Sequence, residues 1–320
     1  MYKPNIVVYH WPCSDGITAA GVVYNYYQGD SSIEFVRGNY ADKAEILDAI
    51  ESWRDKDVLL VDFSYPKDIL VKMSQSAKSI LILDHHVTAQ SALEDFIVEG
   101  DFDDPKYLNV KGIEAVLGEH KIVAVFDMNE CGATMAWKFF NPNTDVPLYI
   151  QHIRDIDLGK KEMPDADHFL WASRAIPLDI KENADAIKSF STESEINEFK
   201  DGGRFISKFV KTRIDVLKGE AHDAKFGNVP FRWGITDYAL VSEYANSLLD
   251  DTVRFAVGVY FTKTGLGLSL RSKPDFDVSE LAKSFGGGGH KQAAGVNLPW
   301  KDVYDFIQTM LDHGIIDLDI

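Results

Sequence analysis

Residues 81–86 read LILDHH, three apolar side chains in succession followed by a carboxylate and two imidazoles. A short apolar run without alternation is the pattern of a strand buried on both faces, as in a parallel sheet covered by helices. In such a fold the carboxyl ends of the strands open into the ligand crevice. Asp84, His85 and His86 would then stand where a hard metal ion could use them. For the tripeptide alone, a loop trio hydrogen-bonded to solvent is the other reading.

The rest of the N-terminal half supplies a sheet of that kind. IVVYH (6–10), DVLLVDFS (57–64) and KIVAVFD (121–127) read as further buried strands beside 79–84. Helices are expected between them over 15–27, 43–54, 66–77 and 132–140, with Pro66 suited to a first turn. Residues 147–218 read mostly as helix. From about 226 the pattern changes: FRWGITD, FAVGVYFT and GLGLSLRS read as strands, SEYANSLLDD and VSELAKSFG as helices. The expected fold is α/β in two lobes, a largely parallel N-terminal sheet and a smaller C-terminal α/β domain. The expected boundaries are 1–165, a helical linker 166–222, and 223–320.

Composition narrows the function. The formal net charge of −17 argues against a protein that coats duplex nucleic acid, which needs clustered Lys and Arg. A small anionic substrate stays open, because bound divalent cations invert the field of an acidic pocket. Two cysteines in 320 residues are too few for a disulfide scaffold, and no apolar run reaches membrane-spanning length. A cytoplasmic setting is expected.

Several strand ends carry chemistry. His10, Cys13 and Asp15 lie in HWPCSDG, the turn from the first strand into its helix. They can converge on one cation, with Cys favouring a softer metal than Mg2+; alternatively Cys13 is a small buried residue and Asp15 caps the helix. Asp62 ends the second strand, and Asp155 and Asp157 lie in HIRDIDLG. The parallel sheet would bring His10, Asp15, Asp62, Asp84 and Asp155 to one edge. Carboxylates that close repel and raise each other's pKa, and divalent metal resolves the repulsion. Two such ions are the usual apparatus for hydrolysing phosphate esters. His85 or His86 would be a ligand, or hydrogen-bond the phosphoryl oxygen or leaving group.

In the C-terminal lobe, FGGGGHKQAAG (285–295) sets four glycines before His290 and Lys291. Glycine backbone can approach an anion closely; a flexible hinge is the alternative. Arg271 in SLRS is a candidate phosphate clamp, or a surface Arg paired with Asp275 or Asp277.

Taken in order, HWPCSDG, VDFS, LDHH, RDIDLG, SLRS and GGGGHKQAAG resemble the DHH/DHHA1 phosphoesterase superfamily over nearly the whole chain. The resemblance implies a two-lobed metal-dependent enzyme, usually with two Mn2+ ions, Mg2+ or another divalent metal being the alternative. It implies metal ligands at His10, Asp15, Asp62, Asp84 and Asp155, with Cys13 at the metal centre and His85 and His86 as catalytic residues there. Arg271, His290 and the backbone of Gly287, Gly288 and Gly289 would bind substrate phosphate or nucleotide. One departure stands out: many members carry Asp-x-Asp in the first motif, where this chain has Cys13-Ser14-Asp15, a form shared with an oligoribonuclease-like branch. The expected substrates are short oligoribonucleotides or linear dinucleotides. Polyphosphate or pyrophosphate, and cyclic nucleotides, are the alternatives, and a non-catalytic nucleotide-binding module is a further class. A homodimer is compatible with the resemblance.

Overall fold

The computed structural model describes residues 1–38, 50–98 and 109–312. The chain divides into two compact units, Met1–Ser207 and Lys208–Ile320.

The first unit is built on five parallel strands: β1 (Ile6–His10), β2 (Glu34–Gly38), β3 (Asp57–Val61), β4 (Ser79–Asp84) and β5 (Ile122–Phe126). Their order across the sheet is β2-β1-β3-β4-β5. Sheet growth therefore reverses direction between β1 and β3, and ligands of such sheets lodge outside the strand ends at that point. The helices are α1 (Ser14–Tyr26), α2 (Lys67–Ser76), α3 (Val87–Ala92), α4 (Ile113–Glu119), α5 (Gly132–Phe140), α6 (Leu148–Asp157), α7 (Ala166–Ser173) and α8 (Ile180–Ser189). Then α9 (Glu193–Lys218) carries the chain out of the unit.

The apolar strands are continuous because both faces are covered. Val7, Tyr9, Leu59, Val61, Leu81 and Leu83 pack under α1, α5, α6 and α8. Their strand neighbours Ile6, Val8, Val58, Leu60, Ile80 and Ile82 face α2, through Ile69, Leu70 and Met73, and Trp53. The period-two division of one apolar run between two cores is what a pleated strand requires.

Three expectations change. β2, EFVRG, was not legible as a strand, because it is a short sheet edge with two charged residues and incomplete burial. The helix expected over 43–54 lies largely outside the described residues, and 51–53 form one 3-10 turn. The segment 166–222, expected as a linker, is helical for most of its length, yet Phe169, Ala186, Ile187 and Ile196 belong to the first unit's core.

The second unit holds β6 (His222–Phe226), β7 (Val229–Ile235), β8 (Phe255–Phe261), β9 (Gly265–Ser272), β10 (Gly288–His290) and β11 (Ala293–Pro299). They form a mixed sheet in the order β10-β11-β9-β8-β7-β6. Only the β7–β8 pair is parallel. Helices α10 (Val241–Ser247), α11 (Val278–Ser284) and α12 (Trp300–Asp312) accompany it. Among the described residues no helix is long and apolar enough to cross a membrane.

Candidate functional site

The carboxyl ends of β1, β3 and β4 gather imidazole, thiol and carboxylate groups at the reversal point. His10 ends β1, and Cys13 follows it at the N-cap of α1. Asp62 follows β3 with a left-handed backbone, φ 54°. Its carboxylate is 1% exposed; Oδ1 lies 3.0 Å from His85 Nε2 and Oδ2 lies 3.4 Å from His10 Nδ1. Among the described residues Oδ2 makes no hydrogen bond of proper geometry. A buried carboxylate oxygen left in that condition costs free energy unless something electropositive meets it.

Asp15 does not cap its own helix, one of the two readings open from the sequence. It reaches to the start of α5, where Gly132 N–H donates to Oδ2 at 2.5 Å and Ala133 N–H to Oδ1 at 2.9 Å. The positive end of a helix dipole thus holds a carboxylate whose burial would otherwise be costly. Gly132 has to be glycine: a Cβ there would lie 2.3 Å from Asp62 Cβ.

Asp157 is the residue that sequence reasoning did not select. It ends α6 with its carboxylate 3.4 Å from His85 Nε2, while Asp15 Oδ2 lies 3.7 Å from the same nitrogen. Asp155, expected as the ligand, faces away. Its two oxygens accept from Glu162 N–H at 2.9 Å and Met163 N–H at 3.1 Å, closing the loop after α6. Two residues on a helix sit about 200° apart around the axis, so only one of the pair can face His85. The RDID motif contains both acids, and the helical period was the signal that could have separated them.

Asp84 also differs from its expected role. Its carboxylate is fully buried and engaged by its neighbours. Oδ2 accepts from Ser64 Oγ–H at 2.5 Å, while Oδ1 takes the His85 N–H at 2.7 Å and lies 2.6 Å from His86 Nδ1. It holds the His86 ring and the His85 backbone N–H rather than joining the donor triads.

Among the described residues three donor triads result: His10, Cys13 and Asp62; Asp15, His85 and Asp157; and Asp62, His85 and His86, which joins the other two. In each the ligating atoms lie within 4.8 Å of one another. The electrostatics are those of a cluster rich in buried carboxylates. Burial, with Asp62 and Asp157 beside it, pushes the Asp15 carboxyl well up. Burial and Asp62 push Asp157 up to about 6. Burial opposes the His85 cation, but Asp62, Asp15 and Asp157 outweigh it and raise the ring to about 10. For His86 the Asp84 carboxylate likewise outweighs burial and raises the pKa. Asp62 moves the other way: burial opposes its charge, yet the His10 and His85 rings hold it well below the usual range. Burial and the three carboxylates push the Cys13 thiol up. Each of the three triads could hold a metal ion, and Asp62 belongs to two of them.

His152, adjacent in sequence to this helix end, is a core ring. It stacks on Phe169 at 4.5 Å, and burial and Lys200 lower its pKa to about 4.

In the second unit, register places the expected substrate groups in one row. His290 pairs with Ala293, which pairs with Arg271. Directly opposed residues share a sheet face, so Arg271 and His290 stand about 10 Å apart on one side, across two strand spacings, with a methyl group between. Arg271 is held by Ser242 Oγ and the Leu270 carbonyl, both at 2.8 Å, not by Asp275 or Asp277. Arg254 pairs with Asp275, and Asp277 caps α11. Two of the four glycines, Gly288 and Gly289, lie in a strand and not in an open loop. Gly288–His290 form β10, and Gly289 has φ 143° with Ala294 Cα 2.6 Å from where its Cβ would be. Close strand approach accounts for Gly287 and Gly289, while the space beside Gly288 is open.

Residues 233–313 match the DHHA1 domain model. Over those residues the chain carries a DHHA1 domain, and its first unit presents Asp84-His85-His86 at the end of β4 with Asp62, His10 and Asp157 nearby. An uncharacterized protein of Acanthamoeba polyphaga mimivirus is 24% identical over 322 aligned residues, covering 91% of this chain and 67% of its own. RecJ of Thermus thermophilus, solved in complex with Mn2+, has the same fold at 12% identity and a TM-score of 0.51. The match covers 96% of this chain and 51% of RecJ, so the chain spans about half of RecJ's length. The pGpG-specific phosphodiesterase PggH of Vibrio cholerae is similar at 10% identity and TM-score 0.46, covering 97% and 98% of the two chains.

Proposed function

We propose that this protein is a phosphoesterase with a dinuclear metal centre that hydrolyses short nucleotide substrates, oligoribonucleotides or linear dinucleotides. The observation that carries the reading is the pair of donor triads joined through Asp62, whose Oδ2 is buried without a hydrogen bond. His10, Cys13 and Asp62 would hold one cation; Asp15, His85 and Asp157, with Asp62, would hold the other. The metals, Mn2+ first among candidates, would supply an activated water and neutralise charge growing on the phosphate oxygens.

The chain's own residues do the remainder. The start of α5 fixes Asp15, so that donor is placed before any ligand arrives. Asp84 fixes the His86 ring through Nδ1 and favours its protonated form. Held so, His86 can donate to a phosphoryl or leaving-group oxygen. In the second unit, Arg271 and His290 would grip substrate phosphate, the Arg through its planar fork.

The test is hydrolysis of a panel with added Mn2+: pApA, a short RNA, a cyclic dinucleotide and polyphosphate, for wild type and Asp62→Asn. Turnover of pApA or RNA that the variant loses is expected. Turnover of polyphosphate alone would refute the substrate class. Silence on every substrate with no metal bound would refute the enzyme.

A further inference from the structure

The two triads so joined are not chemically alike. One offers an imidazole nitrogen, a sulfur and a carboxylate oxygen; the other offers two carboxylates and an imidazole, with the shared Asp62 beside them. Sulfur as thiolate is a soft ligand that selects Zn2+ or similar ions, while carboxylate-rich sites suit Mn2+ and Mg2+.

Local structure says the cysteine is there for this purpose. Cys13 occupies the N-cap of α1, a position where Ser, Thr, Asp and Asn are strongly preferred. Its side chain makes no capping hydrogen bond. Nor does it pack in the interior as Cys131 does, at 0% exposure; Cys13 is half-buried, with its sulfur among the donors. A residue poor for its helix and absent from the core, yet within 4.8 Å of an imidazole nitrogen and a carboxylate oxygen, marks a local rule broken for a site.

We infer that Cys13 makes the centre heterobimetallic, with a thiophilic ion such as Zn2+ at His10–Cys13–Asp62 and a hard ion such as Mn2+ at Asp15–His85–Asp157. This rests on the dinuclear reading above and adds to it which ion each position selects. Zn2+ outcompetes Mn2+ at most protein sites, so preference at one site decides little. The diagnostic quantity is the difference between the positions and its dependence on sulfur.

The experiment uses the full chain, stripped with chelator, as wild type, Cys13→Ser and Cys13→Asp. Cobalt(II) titration should give wild type an intense near-ultraviolet thiolate-to-metal absorption, complete at one equivalent and absent from both variants. Dialysis against a buffered Zn2+ and Mn2+ mixture should leave one of each per wild-type chain. Cys13→Asp should shift the retained ratio toward Mn2+ by at least about tenfold. Ser is a better N-cap than Cys, so Cys13→Ser should fold with a metal-free Tm at or above wild type, while Cys13→Asp adds a carboxylate beside Asp15, Asp62 and Asp157 and should recover its Tm when metal is added. Two cobalt equivalents bound without the thiolate absorption, or an unchanged ratio in Cys13→Asp, would overturn the inference and leave the dinuclear reading standing. A wild type that binds neither Co2+ nor Mn2+ would overturn both.

Discussion

Gly132→Ala places one methyl group against two donors at once. Gly132 is the first residue of α5, so alanine is conformationally acceptable there, and any defect must come from contact. The new Cβ would lie 2.3 Å from Asp62 Cβ, 2.9 Å from Asp62 Cα and 3.0 Å from Asp15 Oδ2. Carbon atoms prefer about 3.5–4.0 Å, and neither Asp62 atom is the free end of a flexible chain, so α5 or the end of β3 must move by an ångström or so. Overpacking of this kind costs about 1–3 kcal/mol, against at most about 1 kcal/mol gained from replacing helical Gly by Ala. The net loss of about 0–3 kcal/mol would lower Tm by about 0–12 °C in a unit of this size, too broad a window to decide anything. Metal affinity decides. Cation sites tolerate donor shifts of only about 0.5 Å, and disturbing the groups that orient ligands typically costs about 10- to 100-fold. Calorimetric titration with Mn2+ should show that loss for Gly132→Ala. Gly118→Ala, in α4 with nothing within 4 Å of the added Cβ, should bind as wild type does. Wild-type Mn2+ affinity in Gly132→Ala would refute the argument that α5 sets the donors.

Asp157→Ala should reduce Mn2+ affinity by at least about tenfold, whereas Asp155→Ala should keep both equivalents. Asp155→Ala should instead lose about 1–3 kcal/mol in urea melts, because the Glu162 and Met163 N–H groups lose their acceptor. Asp157, raised to about 6 by burial and Asp62, binds its proton more tightly folded than unfolded. Its contribution is therefore full below about pH 4 and lost as pH rises through 6. The Tm of the metal-free wild type should accordingly fall relative to Asp157→Asn across that interval, and a flat difference would refute the placement. Arg271→Lys keeps charge but loses the planar fork; KM for pApA should rise about tenfold with kcat little changed, read from steady-state kinetics.

Much of the site was legible because strand ends are legible. Apolar runs at 6–10, 57–61 and 79–84 located the edge, and the polar residues closing them, His10, Asp62 and Asp84, had to fall there. What stayed hidden was direction. Nothing in LILDHH says that Asp84 turns back to Ser64 and the following N–H groups while His85 turns outward. Asp157 was hidden for a related reason: a strand end presents its last residue, but a helix end presents whichever residue its rotation selects. The second unit shows the converse. Its glycines were conspicuous, but their necessity arises at Gly287 and Gly289 from pairing with β11, a contact visible only once the strands are aligned. Arg271 and His290 lie 19 positions apart in the chain and one residue apart in the row.

The bond from Asp15 to α5 spans 117 positions, and that span has a consequence for the order of events on the ribosome. Domains emerge N-terminus first, so the segments bearing His10, Cys13, Asp15, Asp62 and His85 leave the exit tunnel well before α5 and Asp157. Throughout that interval Asp15 has no helix end to meet and the second triad lacks a member. The triad of Asp15, His85 and Asp157 can therefore be completed only after α6 has emerged, later than the segments that carry His10, Cys13 and Asp62.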